Sequence, residues 1–155
     1  MNIKEYKMQM MNRLFILGLM FCISACTAPS YQAYGLRGGY QDKFLAADTY
    51  RVTYNGNGKV SLAMARDFAL LRCAVLTKQH GYSHFWIKMD RVRVSRTTVS
   101  ATPLPIEKPY AFIEIQFVDS DFNPKYRVRN ADEVIAAKQS QYKLSDRQIA
   151  TGSRD

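Results

Sequence analysis

Between Ser61 and Gly81 lies the segment that leaves this chain the least freedom of fold. Met64, Phe68, Leu71 and Val75 recur at helical spacing, and Leu62, Ala65, Ala69 and Leu76 widen the same apolar face. Arg66, Asp67, Lys78 and Gln79 occupy polar positions. Ser61 can accept from the free amides of a first turn, and Gly81 suits the left-handed position just past a helix end. A helix is therefore predicted from Ser61 to about Gln79. Its apolar face needs a sheet to cover it, and alternating segments flank it on both sides.

Upstream, Tyr50, Val52 and Tyr54 alternate with Arg51 and Thr53, the pattern of a half-buried strand, and Asn55-Gly56-Asn57-Gly58 stops it with turn residues. Downstream, Phe85, Ile87 and Met89 alternate with Trp86 and Lys88, in a strand that can continue through Val92 and Val94. Thr97 to Pro109 holds three prolines and reads as a loop. Ala111, Ile113, Ile115 and Phe117 then form the inward face of a third strand, with Tyr110, Phe112, Glu114 and Gln116 opposite. Asp119 to Pro124 is a turn, and Ala131 to about Tyr142 has helical composition with Val134, Ile135 and Ala137 on its buried side.

The expected architecture is α+β: a small two-layer domain in the order β-α-β-β-α, with helices packed on one face of a short mixed sheet. A parallel strand-helix-strand unit crosses right-handed, and the second and third strands pair antiparallel across the proline loop. The domain is expected over 39–142, with residues 26–38 as a tether and 143–155 as a frayed tail. No internal repeat is visible.

The amino terminus sets the address. Leu14 to Ala25 is an apolar run of about 12 residues, where a bilayer-crossing helix needs about 20. Behind Lys4, Lys7 and Arg13 it reads as a secretory signal over residues 1–25. Translation can start at Met1, Met10 or Met11 without changing this. Ordinary cleavage after Ala25 would put bulky Ile23 three residues before the cut, while cleavage after Ala28 would put Cys26 there. Ile23-Ser24-Ala25-Cys26 resembles the bacterial lipobox, which implies cleavage before Cys26 and acylation of its sulfur and new amino group. More than one acyl chain gives stable anchoring without a spanning helix. Thr27 follows the cysteine instead of the Asp that retains such proteins at the inner membrane. That resemblance points to the outer membrane, facing the periplasm. A plain secreted protein is the alternative.

Past the signal, 19 Lys and Arg face 12 Asp and Glu, because Lys4, Lys7, Arg13 and Glu5 leave totals of 22 and 13. The net of +7 would suggest nucleic acid in the cytosol. In an envelope the available polyanions are lipid phosphates, lipopolysaccharide and wall polymers, so nucleic acid is not the expected partner. Of three cysteines, Cys22 leaves with the signal and Cys26 takes lipid, so Cys73 has no partner for a disulfide. Stability must come from packing.

Tyr50-Arg51-Val52, Asn55-Gly56-Asn57, the helix Asp67-Phe68-Ala69-Leu70-Leu71-Arg72-Cys73-Ala74-Val75-Leu76-Thr77 and Gly81-Tyr82-Ser83-His84-Phe85 together resemble a family of small uncharacterised lipoproteins from Gram-negative bacteria. Gly39-Tyr40 and Ala131-Asp132-Glu133-Val134 extend the likeness over roughly residues 26–137. Family members often read Arg-Ala-Ala-Glu-Leu-Thr in the helix. Here Cys73 replaces the first Ala and Val75 the Glu, so an acid at that position, if it worked in catalysis, is missing. The resemblance implies a fold and an address and no chemistry.

No catalytic constellation stands out. His80 and His84 are the only histidines, and Gly81 ends the helix between them, so no metal or cofactor site is expected. Asp119 and Asp121 read as turn residues, and neither a nucleophile elbow nor a phosphate loop is present. Two basic stripes remain: Arg91 and Arg93, and Lys125, Arg127 and Arg129. Each set would project from one face of a strand, either as edge charges that deter aggregation or as a cradle for phosphate or carboxylate. The leading expectation is a non-enzymatic binding protein for a partner protein or an anionic envelope polymer, with Arg91, Arg93, Arg127 and Arg129 as the anion-binding candidates. A structural or accessory subunit of a larger envelope assembly, and a small periplasmic enzyme, are the alternatives.

Overall fold

The computed structural model describes residues 31–97, 105–122 and 127–152. The signal segment, Cys26, most of the proline loop and Lys125 lie outside them. In chain order the elements are β1 (Gly39–Ala46), β2 (Thr49–Asn55), α1 (Leu62–Gln79), β3 (His84–Thr97), β4 (Ile106–Val118), β5 (Val128–Asn130), α2 (Ala131–Tyr142) and α3 (Asp146–Thr151).

The long helix forms where its period and caps put it. Ser61 Oγ accepts from the Met64 amide at 3.1 Å. At the other end the Tyr82 amide reaches the Thr77 carbonyl at 3.1 Å and Gly81 reaches Lys78 at 3.0 Å, with Gly81 at φ +82°. These two reversed bonds satisfy carbonyls that the helix end would otherwise leave open. Phe68, Leu71, Cys73 and Ala74 are fully buried or nearly so against the sheet.

The sheet order is β1-β2-β4-β3-β5, and every strand pairing is antiparallel. The α+β class, with helices on one face of the sheet, is as the sequence indicates; the mixed sheet is corrected. β2 and β3 do run in the same direction on either side of α1, but β4 folds back from the proline hairpin into the slot between them. A hairpin return supplies antiparallel partners on both sides, so among the described residues no two strands pair in parallel, and the one parallel contact is the isolated Ala33–Tyr40 bridge.

A β-bulge interrupts β3 between Ile87 and Met89. One extra residue exchanges the two faces of the strand from there on. Phe85 and Ile87 before it and Asp90, Val92 and Val94 after it therefore share the helix side. Met89, expected inside with Phe85 and Ile87, turns to the other face.

The ordered domain is larger than 39–142. Tyr31 is completely buried, with its ring 5.0 Å from Tyr40 and 6.0 Å from Phe68. Residues 146–151 form α3, started by a capping box between Ser145 and Gln148, and Ile149 is buried. Gly152, at φ +61°, lies under the Tyr40 ring where a side chain would collide, and its carbonyl accepts from the Ala33 amide at 3.2 Å. The two ends of the domain close on each other there.

Three charged groups of α1 are held by partners on the helix side. Arg66 donates to Asp90 Oδ2 from Nε at 2.9 Å and Nη2 at 2.6 Å. Arg72 donates to Asp42 Oδ2 at 3.0 and 2.5 Å and stacks over Tyr40 at 4.5 Å. The two arginines leave opposite flanks of α1 and fasten it to β3 and β1. Asp67 ties α1 to α2 by accepting from Tyr142 Oη at 2.7 Å, Gln141 at 3.2 Å and Lys138 at 2.8 Å. Burial acts to raise the Asp67 pKa, but the bonds from Lys138 and Tyr142 outweigh it and hold the carboxyl below its ordinary range.

Candidate binding surface on the open sheet face

Because α1 and α2 cover only one side, the alternate residues of the same strands form an open face. Its register can be read in rows across neighbouring strands. Gly39, Asn55, Tyr110 and Arg93 make one row; Gln41, Thr53, Phe112 and Arg91 the next; Lys43, Arg51, Glu114 and Met89 the third. Beyond the bulge, Thr49, Gln116, Trp86 and Val128 complete it. Neighbouring strands lie about 4.8 Å apart and alternate residues about 6.8 Å apart along a strand.

Arg91 and Arg93 stand on this face, both exposed, beside half-buried Phe112 and Tyr110. Neither makes an ion pair among the described residues; Arg91 donates only to the neighbouring Asp90 carbonyl, at 3.3 Å. Glu114 is the one acid in these rows, and Arg51 already holds it, with Nε 2.8 Å from Oε1, while lying 5.4 Å over the Phe112 ring. Lys88, the extra residue of the bulge, approaches the Trp86 ring at 5.6 Å. Lys43, Arg51, Arg91 and Arg93 against one paired carboxylate leave the face positive.

The four candidate arginines are not brought together. Arg129 pairs in register with Phe85, a core residue, and so belongs to the helix side of the sheet at its β5 edge. Arg127 precedes that strand, and its carbonyl accepts from the Ile87 amide at 3.0 Å. Arg91 and Arg93 face the other way. A cradle made of all four is excluded, and the basic surface consists of Arg91, Arg93 and the neighbours across β2 and β1. Sequence reasoning had Tyr110 and Phe112 opposite the core positions of β4 but gave them no role. Their alternation with Ala111 and Ile113 was the available signal.

The remaining reactive side chains are otherwise engaged. His80 rests between Tyr50 and Phe117, with ring centroids 5.0 and 4.9 Å away, whereas His84 bonds Ser83 Oγ at 2.8 Å. Among the described residues no group of three His, Cys, Asp or Glu could hold a metal. Complete burial pushes the Cys73 thiol well up, which keeps it protonated and unreactive. Glu107 is bound by Arg96 at 2.8 Å. Among the described residues no helix is long and apolar enough to cross a membrane.

No family model, no curated protein and no solved structure matches the chain.

Proposed function

We propose that the chain is a lipid-anchored envelope protein, acylated at Cys26, that binds an anionic envelope polymer on its open sheet face. The observation that carries this reading is the pairing pattern of the arginines. Arg66 and Arg72 on the helix side are spent on carboxylates, while Arg91 and Arg93 project from a helix-free face with no acid of their own. Guanidinium groups bind phosphate and carboxylate through paired donors, and Tyr110 and Phe112 beside them offer apolar area to the body of a polymer. The lipobox-like Ile23-Ser24-Ala25-Cys26 supports the anchor, and the resemblance to Gram-negative lipoproteins supports the address.

Reversing Arg91 and Arg93 to Glu tests the binding half. Retention on lipopolysaccharide or wall material should be lost, with the melting temperature nearly unchanged, because both side chains are exposed and unpaired. Wild-type retention should weaken steeply with salt, since screening shortens to about 10 Å at 0.1 M. Retention that survives the reversal defeats the charge mechanism.

Cys26→Ala tests the anchor. That protein should appear in the soluble periplasm or stall before processing. Fractionation with membranes after salt and carbonate washing would contradict lipidation.

A second reading, an accessory subunit of a larger assembly, draws on β1. This edge strand exposes Phe44 and Leu45, 61% and 38% accessible, to whatever lies beside it. Crosslinking in intact cells separates the two readings by whether a stoichiometric protein or polymer is captured.

A further inference from the structure

The turn that follows Tyr31 holds out an apolar side chain with nothing of the domain over it. Gly35 and Gly38 bond each other in both directions, at 3.1 and 3.0 Å, so Leu36 and Arg37 form the tip of a two-residue turn. Leu36 is completely exposed and Tyr34 is 55% exposed. The turn is nevertheless fixed in place: Asn57 donates to the Arg37 carbonyl and Gln32 to the Gly38 carbonyl, both at 3.1 Å. Beside it lies a concavity of about 170 Å³ lined by Arg37, Lys108, Asn55, Asn57 and Ser95, with no acidic residue in its wall.

The position of this turn in the chain says what can cover it. Only five residue steps separate Cys26 from Tyr31, which is locked into the core against Tyr40 and Phe68. At about 3.6 Å per step, Cys26 stays within about 18 Å of Tyr31. A domain of this size has a radius of gyration of about 14 Å, hence a width of roughly 35 Å. With Cys26 as the point of attachment, a tether about half as long as the domain is wide keeps Tyr31 within that distance of the bilayer, and the turn lies three to six residues beyond Tyr31.

We propose that the turn at Tyr34–Arg37 docks on an anionic lipid surface, with Leu36 and Tyr34 entering the interfacial layer and Arg37 and Lys108 meeting lipid phosphates. This rests on the reading of Cys26 as the point of attachment. An apolar tip ringed by basic residues suits that layer, where tyrosine also partitions favourably and anionic headgroups attract Lys and Arg. Docking would fix the orientation of the whole domain, so that the open sheet face stands along the membrane normal and is not pressed against it.

The test uses the chain from Cys26 onward, coupled through the Cys26 thiol to a maleimide-bearing lipid; Cys73 is buried and spared. Leu36→Trp in a Trp86→Phe background reports on the turn. Asp121→Trp in the same background reports on the opposite end of β4. On vesicles of phosphatidylethanolamine and phosphatidylglycerol carrying brominated lipid, Leu36→Trp should be quenched several-fold more than Asp121→Trp. Arg37→Glu with Lys108→Glu, or omission of phosphatidylglycerol, should remove most of that difference. Equal quenching at both sites, or a Leu36→Trp emission unchanged by lipid, overturns the proposal. Mass measurement of the amino terminus from cell membranes checks acylation separately. An unmodified Cys26 would refute the anchor reading while leaving the behaviour of the coupled chain as its own result.

Discussion

The two faces of the sheet are made from the same strands and obey different rules. On the helix side, hydrocarbon fills the rows, and where a row ends in charge a helix side chain reaches it. The row Asp42, Val52, Ile113, Asp90 shows this: apolar at its centre, with Arg72 and Arg66 closing its two ends. On the open side the row Gln41, Thr53, Phe112, Arg91 has no such closure. The acids in the covered row serve the fold by fastening α1, whereas Arg91 and Arg93 on the open face are left for something outside it. Substitutions on the first should therefore be read in stability and on the second in binding.

The sharpest way to break that division is Leu71→Ala. Leu71 is wholly buried between α1 and the sheet, and truncation loses both transfer energy and packing around the cavity. The expected cost is about 2–5 kcal/mol, seen as a lower denaturant midpoint with unchanged slope. A variant as stable as the parent would mean that the covered face is not the core.

How much of this division could be read from the sequence depends on how local its causes are. The α1 helix was legible because cap, period and terminal glycine all lie within one stretch, Ser61 to Gly81. The β1 strand was not, because Gln41-Asp42-Lys43-Phe44 shows no clean alternation. Asp42 can face the covered side only through Arg72, 30 residues away. Tyr31 and α3 were missed for the same reason: each is ordered by Tyr40, one through ring packing and the other through Gly152. The bulge did leave a trace, since the apolar residues of β3 change from odd positions (Phe85, Ile87) to even ones (Val92, Val94). That change of parity also moves Met89 outward and Asp90 inward. For the site, Arg91 and Arg93 were recognisable as a stripe. The face taken by Arg129 was not, because a one-residue difference in register reverses the face of a whole strand.

A smaller effect is expected at Asp67, the acid that joins α1 to α2. Its folded-state pKa lies below its unfolded value, so the unfolded chain takes up the proton first as pH falls. The stability it contributes is complete above the ordinary Asp value of about 3.9 and is lost as pH drops below that through the folded pKa. Asp67→Asn should cost about 1–3 kcal/mol at neutral pH by weakening bonds to Lys138 and Tyr142. It should also flatten the acid limb of the stability profile. Urea midpoints at neutral and acid pH check both; a parallel acid limb in the variant would show that another carboxylate governs it.

The smallest effect tests whether every polar atom on the covered side is there for the fold. The Tyr31 hydroxyl is buried and forms no well-made hydrogen bond among the described residues. Burial pushes its acidity far out of the ordinary tyrosine range, with the charge of Arg72 opposing. A buried hydroxyl without a partner costs desolvation and returns little, so removing it while keeping the ring should be close to neutral. Tyr31→Phe is expected to change stability by less than about 1 kcal/mol, in either direction, because the contacts with Tyr40 and Phe68 are those of the ring. Tyr31→Ala, by contrast, should cost about 3–5 kcal/mol, since it empties the site that holds the start of the chain against the core. If Tyr31→Phe instead proves as damaging as Tyr31→Ala, the hydroxyl is engaged with Arg72 in solution. The arginine that fastens α1 to Asp42 would then be shared with the residue nearest the tether.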